Sequence, residues 1–96
     1  MSNNQEINYA KIMSEVIKEK IAIIDEEITN FEMLLDSIEI RIHESSDIEK
    51  IANLMIEYNN TKTELNQYKN QKELLLSIFS TYKEKVSNIK EYLTNK

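Results

Sequence analysis

The stretch Ile38–Leu54, IEIRIHESSDIEKIANL, decides how this chain folds. On its left, Ile38 and Ile42 close a long apolar series. On its right, Ile51 and Leu54 open another. Continuing the first series would require apolar residues near positions 45 and 49, and the chain offers Ser45 and Glu49. The segment His43-Glu44-Ser45-Ser46-Asp47 is the strongest break signal in the sequence. Ser46 followed by Glu49 has capping-box spacing, and Asp47 suits the positive end of a helix. The reading is a turn at about 43–47, with one helix over about 5–43 and a second over about 47–94.

Working outward, both series keep strict heptad spacing. The first runs Ile7, Ala10, Ser14, Ile17, Ile21, Ile24, Ile28, Phe31, Leu35, Ile38, Ile42, broken only by Ser14. The second runs Ile51, Leu54, Tyr58, Thr61, Leu65, Tyr68, Lys72, Leu75, Phe79, Tyr82, Val86, Ile89, Leu93, with Thr61 and Lys72 as exceptions. A seven-residue repeat held this long is the pattern of a left-handed coiled coil. The fold class expected is all-α: an antiparallel two-helix hairpin with coiled-coil packing, dimerising into a four-helix arrangement. The whole chain is then one helical domain. With a turn this short, residue i should face residue 90 − i approximately.

Glycine and proline are both absent from the 96 residues. An average sequence of this length holds about a dozen of the two together. Nothing of that kind interrupts either helix. The one soft stretch, Tyr58-Asn59-Asn60-Thr61-Lys62-Thr63, combines residues that compete for backbone hydrogen bonds, and Thr61 with Glu64 again has capping-box spacing. A break there would give a long-short-long three-helix alternative. The heptad passes through without a phase shift, which favours a continuous helix.

Composition narrows the chemistry. Cysteine is absent, which removes disulfides, thiolate metal sites and thiol nucleophiles. Phosphate-cradling loops need glycine. The single histidine, His43, lies at the turn, and a carboxylate-bridged di-iron bundle needs a Glu-x-x-His motif from each of two helices. The acids Asp25, Glu26, Glu27, Glu32, Asp36 and Glu39 fan around a helix axis and read as a solvated face. No catalytic, cofactor-binding or metal-ligating residue is expected, and the chain is not expected to be an enzyme. No apolar run approaches the roughly 20 residues of a membrane span, and the N-terminus carries no leader pattern, so the expected setting is cytoplasmic.

Charge divides unevenly. Residues 1–49 hold 12 acids and 4 bases, whereas residues 50–96 hold 5 acids and 8 lysines. Lys62, Lys69, Lys83 and Lys90 share one heptad position on the second helix. Pairing with the acidic first helix accounts for that stripe, so nucleic acid is not an expected partner.

The clue to function is an apolar surplus. From Ile7 to Ile42, 19 of 36 residues are apolar, where a two-helix seam needs about two in seven. Tyr9, Met13, Val16, Ile23 and Leu34 widen the apolar sector on one side of the seam, and Ile12, Met33 and Ile40 extend it. Ile48, Met55 and Leu76 add a partial stripe on the second helix. These five residues of the first helix, Tyr9 to Leu34, are the candidate partner-binding set. The expected partners are a second copy of the chain, another protein, or both. The corresponding function is a non-enzymatic interaction module: an adaptor, chaperone or assembly factor that buries a partner helix. Two alternatives are a small acidic inhibitor occupying a basic site and a structural coiled-coil component.

In length and expected shape the chain resembles the small helical-hairpin proteins of bacterial secretion systems. The Trp-x-Gly turn motif of one such family has no counterpart here, since the turn reads His43-Glu44-Ser45-Ser46-Asp47 and tryptophan and glycine are absent. The resemblance is one of silhouette and implies no activity.

Overall fold

A computed structural model describes residues 2–94, and these form an all-α two-helix hairpin. Helix α1 spans Ser2–Glu44 and helix α2 spans Ile48–Thr94. The three-helix alternative is not what forms: α2 continues through Asn59–Thr63. The Thr63 hydroxyl donates to the Asn59 carbonyl at 3.0 Å, and Thr61 is buried. The Thr63 hydroxyl, one of the groups able to compete for the backbone, thus bonds within the helix.

The turn is Ser45, Ser46 and Asp47. Helix C-termini commonly close on a left-handed glycine. Among the described residues no backbone φ is positive, so this turn needs no glycine. Instead the Ser45 amide donates to the Ile42 carbonyl at 3.3 Å, tightening the end of α1. The Asp47 amide donates to the Ser45 hydroxyl, also at 3.3 Å. Arg41 and His43 lie in the last turn of α1, where cations complement the helix dipole.

The cap of α2 is Asp47, one residue beyond the Ser46 that the capping-box spacing singles out. Its carboxylate accepts from the Glu49 amide at 3.0 Å and the Lys50 amide at 3.5 Å. The Asp47 carbonyl accepts the first intrahelical bond, from the Ile51 amide at 2.9 Å. A carboxylate reaches two orphan amides at once and sits at the positive end of the dipole, which gives it the cap over a serine hydroxyl.

The chain divides into two compact units. One comprises residues 1–23 with 72–96, and the other residues 24–71, which include the turn. In the turn-containing unit, Ile28, Ile38, Leu54 and Leu65 are buried, and Ile38 is wholly so. In the unit of the chain ends, Ile7, Ala10 and Ile17 are buried together with Ser14. All eleven members of the first heptad series are buried or half-buried, as are all of the second except Leu93. Polar Ser14 is tolerated because its hydroxyl donates to the Ala10 carbonyl at 2.8 Å. Among the described residues no buried side-chain oxygen or nitrogen lacks a partner.

Aromatic pairs mark the pairing of the helices within each unit. Tyr9 meets Tyr82 edge-on with ring centroids 6.2 Å apart, close to the expected 90 − i alignment. Phe31 meets Tyr68 at 5.4 Å, nine residues beyond the Asn59 that this alignment would give it. Side chains lean toward the N-terminus of their own helix. Such lean lets rings meet across Cα atoms offset along the axis, although Tyr9 and Tyr82 meet with almost no offset.

Candidate functional site

The heptad letters sort the surface of each unit into two sides. Taking Ile7 and Ile51 as a positions, the g and c positions lie beside the seam on one flank and the e and b positions on the other. In the unit of the chain ends, Lys11 and Glu15 of α1 line an open groove of about 610 Å³ with Lys83, Ser87 and Lys90 of α2. All of these occupy e or b positions, and Ser14 and Val86 form the floor. This flank is charged apart from Leu76, an e position that is 45% exposed. The Lys83 ammonium also lies 5.1 Å from the centre of the Phe79 ring, a cation–π contact.

The other flank of this unit is mixed: Glu6, Lys20 and Lys85 stand at g positions, and Glu6, Thr81, Lys85 and Asn88 line a shallow hollow, but an apolar patch lies among them. Tyr9, Val16 and Ile23 fall at c and Met13 at g. Tyr9 and Ile23 are 56% and 62% exposed, and Val16 is exposed at 37%. Met13 is half-buried, so it forms the inner edge of the face instead of standing free on it. Ile12, at the adjoining f position, is exposed. Helix α2 contributes residues that the sequence reading passes over. Leu74 at c is 62% exposed, and Ile78 at g is exposed on the same flank. Their signal was available: a c and a g position filled by large aliphatics beside an already apolar seam. The face therefore spans both helices of this unit. Its seam-side margin is the Tyr9–Tyr82 pair, where the neighbouring Tyr9 raises the Tyr82 pKa above its ordinary value through a hydrogen bond, charge repulsion and, least, burial.

In the turn-containing unit the apolar surface is carried by α1. Leu34 is exposed at a g position, and Met33 (66%) and Ile40 (56%) are exposed at f. A shallow hollow of about 380 Å³ opens between Met33, Ser37 and Ile40, with charged Asp36 and Arg41 also on its wall. The candidate residue Leu34 lies in this unit, whereas Tyr9, Met13, Val16 and Ile23 lie in the other. On α2, Ile48, Met55 and Ile56 are exposed at e and f positions, away from the flank of Leu34. The e positions of α1 in this unit are Asp25, Glu32 and Glu39, which share a flank with Lys62 and Lys69 of α2. Asp25 and Glu27 are half-buried, while Glu26 and Glu32 are exposed.

Among the described residues no three His, Asp or Glu side chains converge in a group able to hold a metal. No helix of the described residues is long and apolar enough to cross a membrane. The chain matches no known protein family, no curated protein and no solved structure.

Proposed function

We propose that this chain is a non-enzymatic protein–protein interaction module, an adaptor or assembly factor whose α1 buries a helix of its partner. The observation that carries the reading is the exposure of Tyr9, Val16 and Ile23 on one flank of the heptad seam, with Leu74 and Ile78 beside them. Isolated exposed aliphatics need no explanation, but several gathered at the c positions of α1, with Ile12 and Met13 beside them, are more than isolated, although Glu19 and Lys20 stand between Val16 and Ile23. A helix laid along such a surface would read it at i, i+3, i+4 and i+7 spacing. Met13 and Met33 add flexible side chains that adapt to an apolar partner. Coiled-coil packing of the hairpin belongs to the same reading, supported by the coincidence of both heptad series with the buried and half-buried residues.

The test is the double substitution Val16→Lys/Ile23→Lys. Both sites are exposed, so the hairpin should retain its helicity by circular dichroism. Complexes recovered from native extract on the tagged full-length chain should be lost, together with any self-association seen by sedimentation. If association of every kind survives while helicity holds, the face is not the binding surface.

A further inference from the structure

We propose that the e–b groove in the unit of the chain ends is a second docking site, separate from the g–c face, and that its occupant is an acidic helical segment of another protein.

The carrying observation is a departure from the charge pairing that the sequence suggests. In that pairing the acids of α1 neutralise the α2 stripe of Lys62, Lys69, Lys83 and Lys90. The acids at α1 e positions, Asp25, Glu32 and Glu39, all fall in the turn-containing unit, on a flank shared with Lys62 and Lys69. Lys83 and Lys90 belong to the other unit, and the α1 e residue that joins them in their groove is a further lysine, Lys11. Neither Lys83 nor Lys90 has an acid three or four residues away along α2, where the chain carries Phe79, Ser80, Val86, Ser87, Leu93 and Thr94. Among the described residues Glu15 is the one carboxylate on the groove's wall, set against three ammonium groups.

Charge complementarity selects an anionic occupant, and the form of the groove selects a helix. A trough between two packed helices is where a third helix of a bundle sits. The floor is half-buried Val86 and Ser14, whose hydroxyl is already bonded to the Ala10 carbonyl, so it offers packing contact and no unmet polar group. Lys83 and Lys90 stand seven residues apart, about 10.5 Å along one wall. A partner helix presents its own flanking carboxylates at the same repeat. Lys11 answers from the opposite wall, and a basic or amide side chain of the partner would meet Glu15. Lys18, the next e position of α1, is outside the lining, so the seat runs from Lys11 toward the chain ends. Nucleic acid suits the site less. Among the described residues neither an aromatic ring nor an arginine lines it, and Glu15 opposes a uniform run of phosphates.

The probe is a stapled two-heptad helical peptide with leucine at a and d positions and glutamate at e and g, titrated into the full-length chain. Amide shifts in nuclear magnetic resonance locate its seat and give its Kd. They should centre on Lys11, Glu15, Lys83, Ser87 and Lys90, and binding should weaken as salt rises. Lys83→Glu/Lys90→Glu should weaken binding about tenfold and leave helicity intact, because both lysines are exposed. A peptide with lysine in place of glutamate should then prefer the reversed variant. A peptide of the original composition, with its glutamates moved to b, c and f, should bind the wild-type chain more weakly. Equal binding by the reversed variant or by the rearranged peptide would overturn the proposal, as would shifts centred on Tyr9, Val16 and Ile23. Oligodeoxythymidine or phosphatidylserine vesicles binding these lysines more tightly than the peptide would overturn it in favour of nucleic acid or membrane. Self-association of the wild-type chain that the charge reversal abolishes would overturn it in favour of a second copy. Val16→Lys/Ile23→Lys should still take the peptide at the same seat, so failure of the groove and failure of the g–c face are read separately.

Discussion

At the scale of single residues, Asp47 carries the turn. It caps α2 through two amide hydrogen bonds while its own carbonyl begins the helix. Asp47→Ala should therefore destabilise the hairpin by about 1 kcal/mol in urea denaturation. Ser46→Ala should change stability by less than about 0.5 kcal/mol. The reverse order would return the cap to Ser46. The sequence placed the turn within this short segment but put the capping-box signal one residue early, because Ser46-x-x-Glu49 spacing is a property of letters. Which side chain reaches the orphan amides depends on where the backbone leaves α1. Ser14 offers a second test. Its hydroxyl is satisfied by a carbonyl already engaged in the helix, so Ser14→Ala should stabilise by about 0.5 kcal/mol through helix propensity alone. Tyr82 offers a third. Its pKa is raised above the ordinary 10.0, chiefly by the hydrogen bond with Tyr9. The folded chain therefore holds that phenolic proton more tightly than the unfolded chain does. This contribution is complete below the unfolded pKa and disappears as pH rises through the raised folded value. Ultraviolet titration should show one tyrosine ionising late, and Tyr9→Phe should return it toward the ordinary value.

At the scale of elements, the two heptad series and the buried residues are nearly the same set, with Leu93 the exposed exception. This much was legible because a seven-residue apolar period leaves a helix only one face to bury. Ile38 and Ile40 make the point within a single turn of α1. Ile38 is fully buried and Ile40 is 56% exposed. Ile38→Ala should cost about 3 kcal/mol in chemical denaturation, whereas Ile40→Ala should cost less than about 0.5 kcal/mol in the unassociated chain. Equal losses at both sites would mean that the seam lies elsewhere. The detailed pairing of side chains was less legible. Counting from the turn places Phe31 opposite Asn59, yet its ring lies 5.4 Å from that of Tyr68, whereas the same counting places Tyr9 within one residue of Tyr82. Likewise the Asn59–Thr63 stretch stays helical, with the heptad in phase and the Thr63 hydroxyl donating to the Asn59 carbonyl. Composition alone gives no sign of that choice.

At the scale of the whole molecule, the two flanks of the unit of the chain ends differ: the g–c flank gathers Tyr9, Met13, Val16, Ile23, Leu74 and Ile78 beside charged Glu6, Lys20 and Lys85, whereas the e positions counted from Ile7 are lysines apart from the exposed Leu76. The α1 part of that flank was legible in the sequence, as Tyr9, Met13, Val16 and Ile23 sit at heptad positions a two-helix seam leaves uncovered. Leu74 and Ile78 carried the same signal at c and g positions but were passed over, because polar c and g residues such as Gln67 and Gln71 dilute it along α2. They join the face only once the flanks of the two helices are known to coincide. The most direct measurement of the central claim is thiol labelling of two single-cysteine variants, Ile23→Cys and Lys18→Cys, on the apolar and charged flanks respectively. Each is labelled in dilute buffer and again in concentrated native extract. Burial of a helix on the apolar flank predicts that labelling of Ile23→Cys slows markedly in the extract while Lys18→Cys keeps its rate. Slowing at Lys18→Cys with Ile23→Cys unaffected would contradict the account.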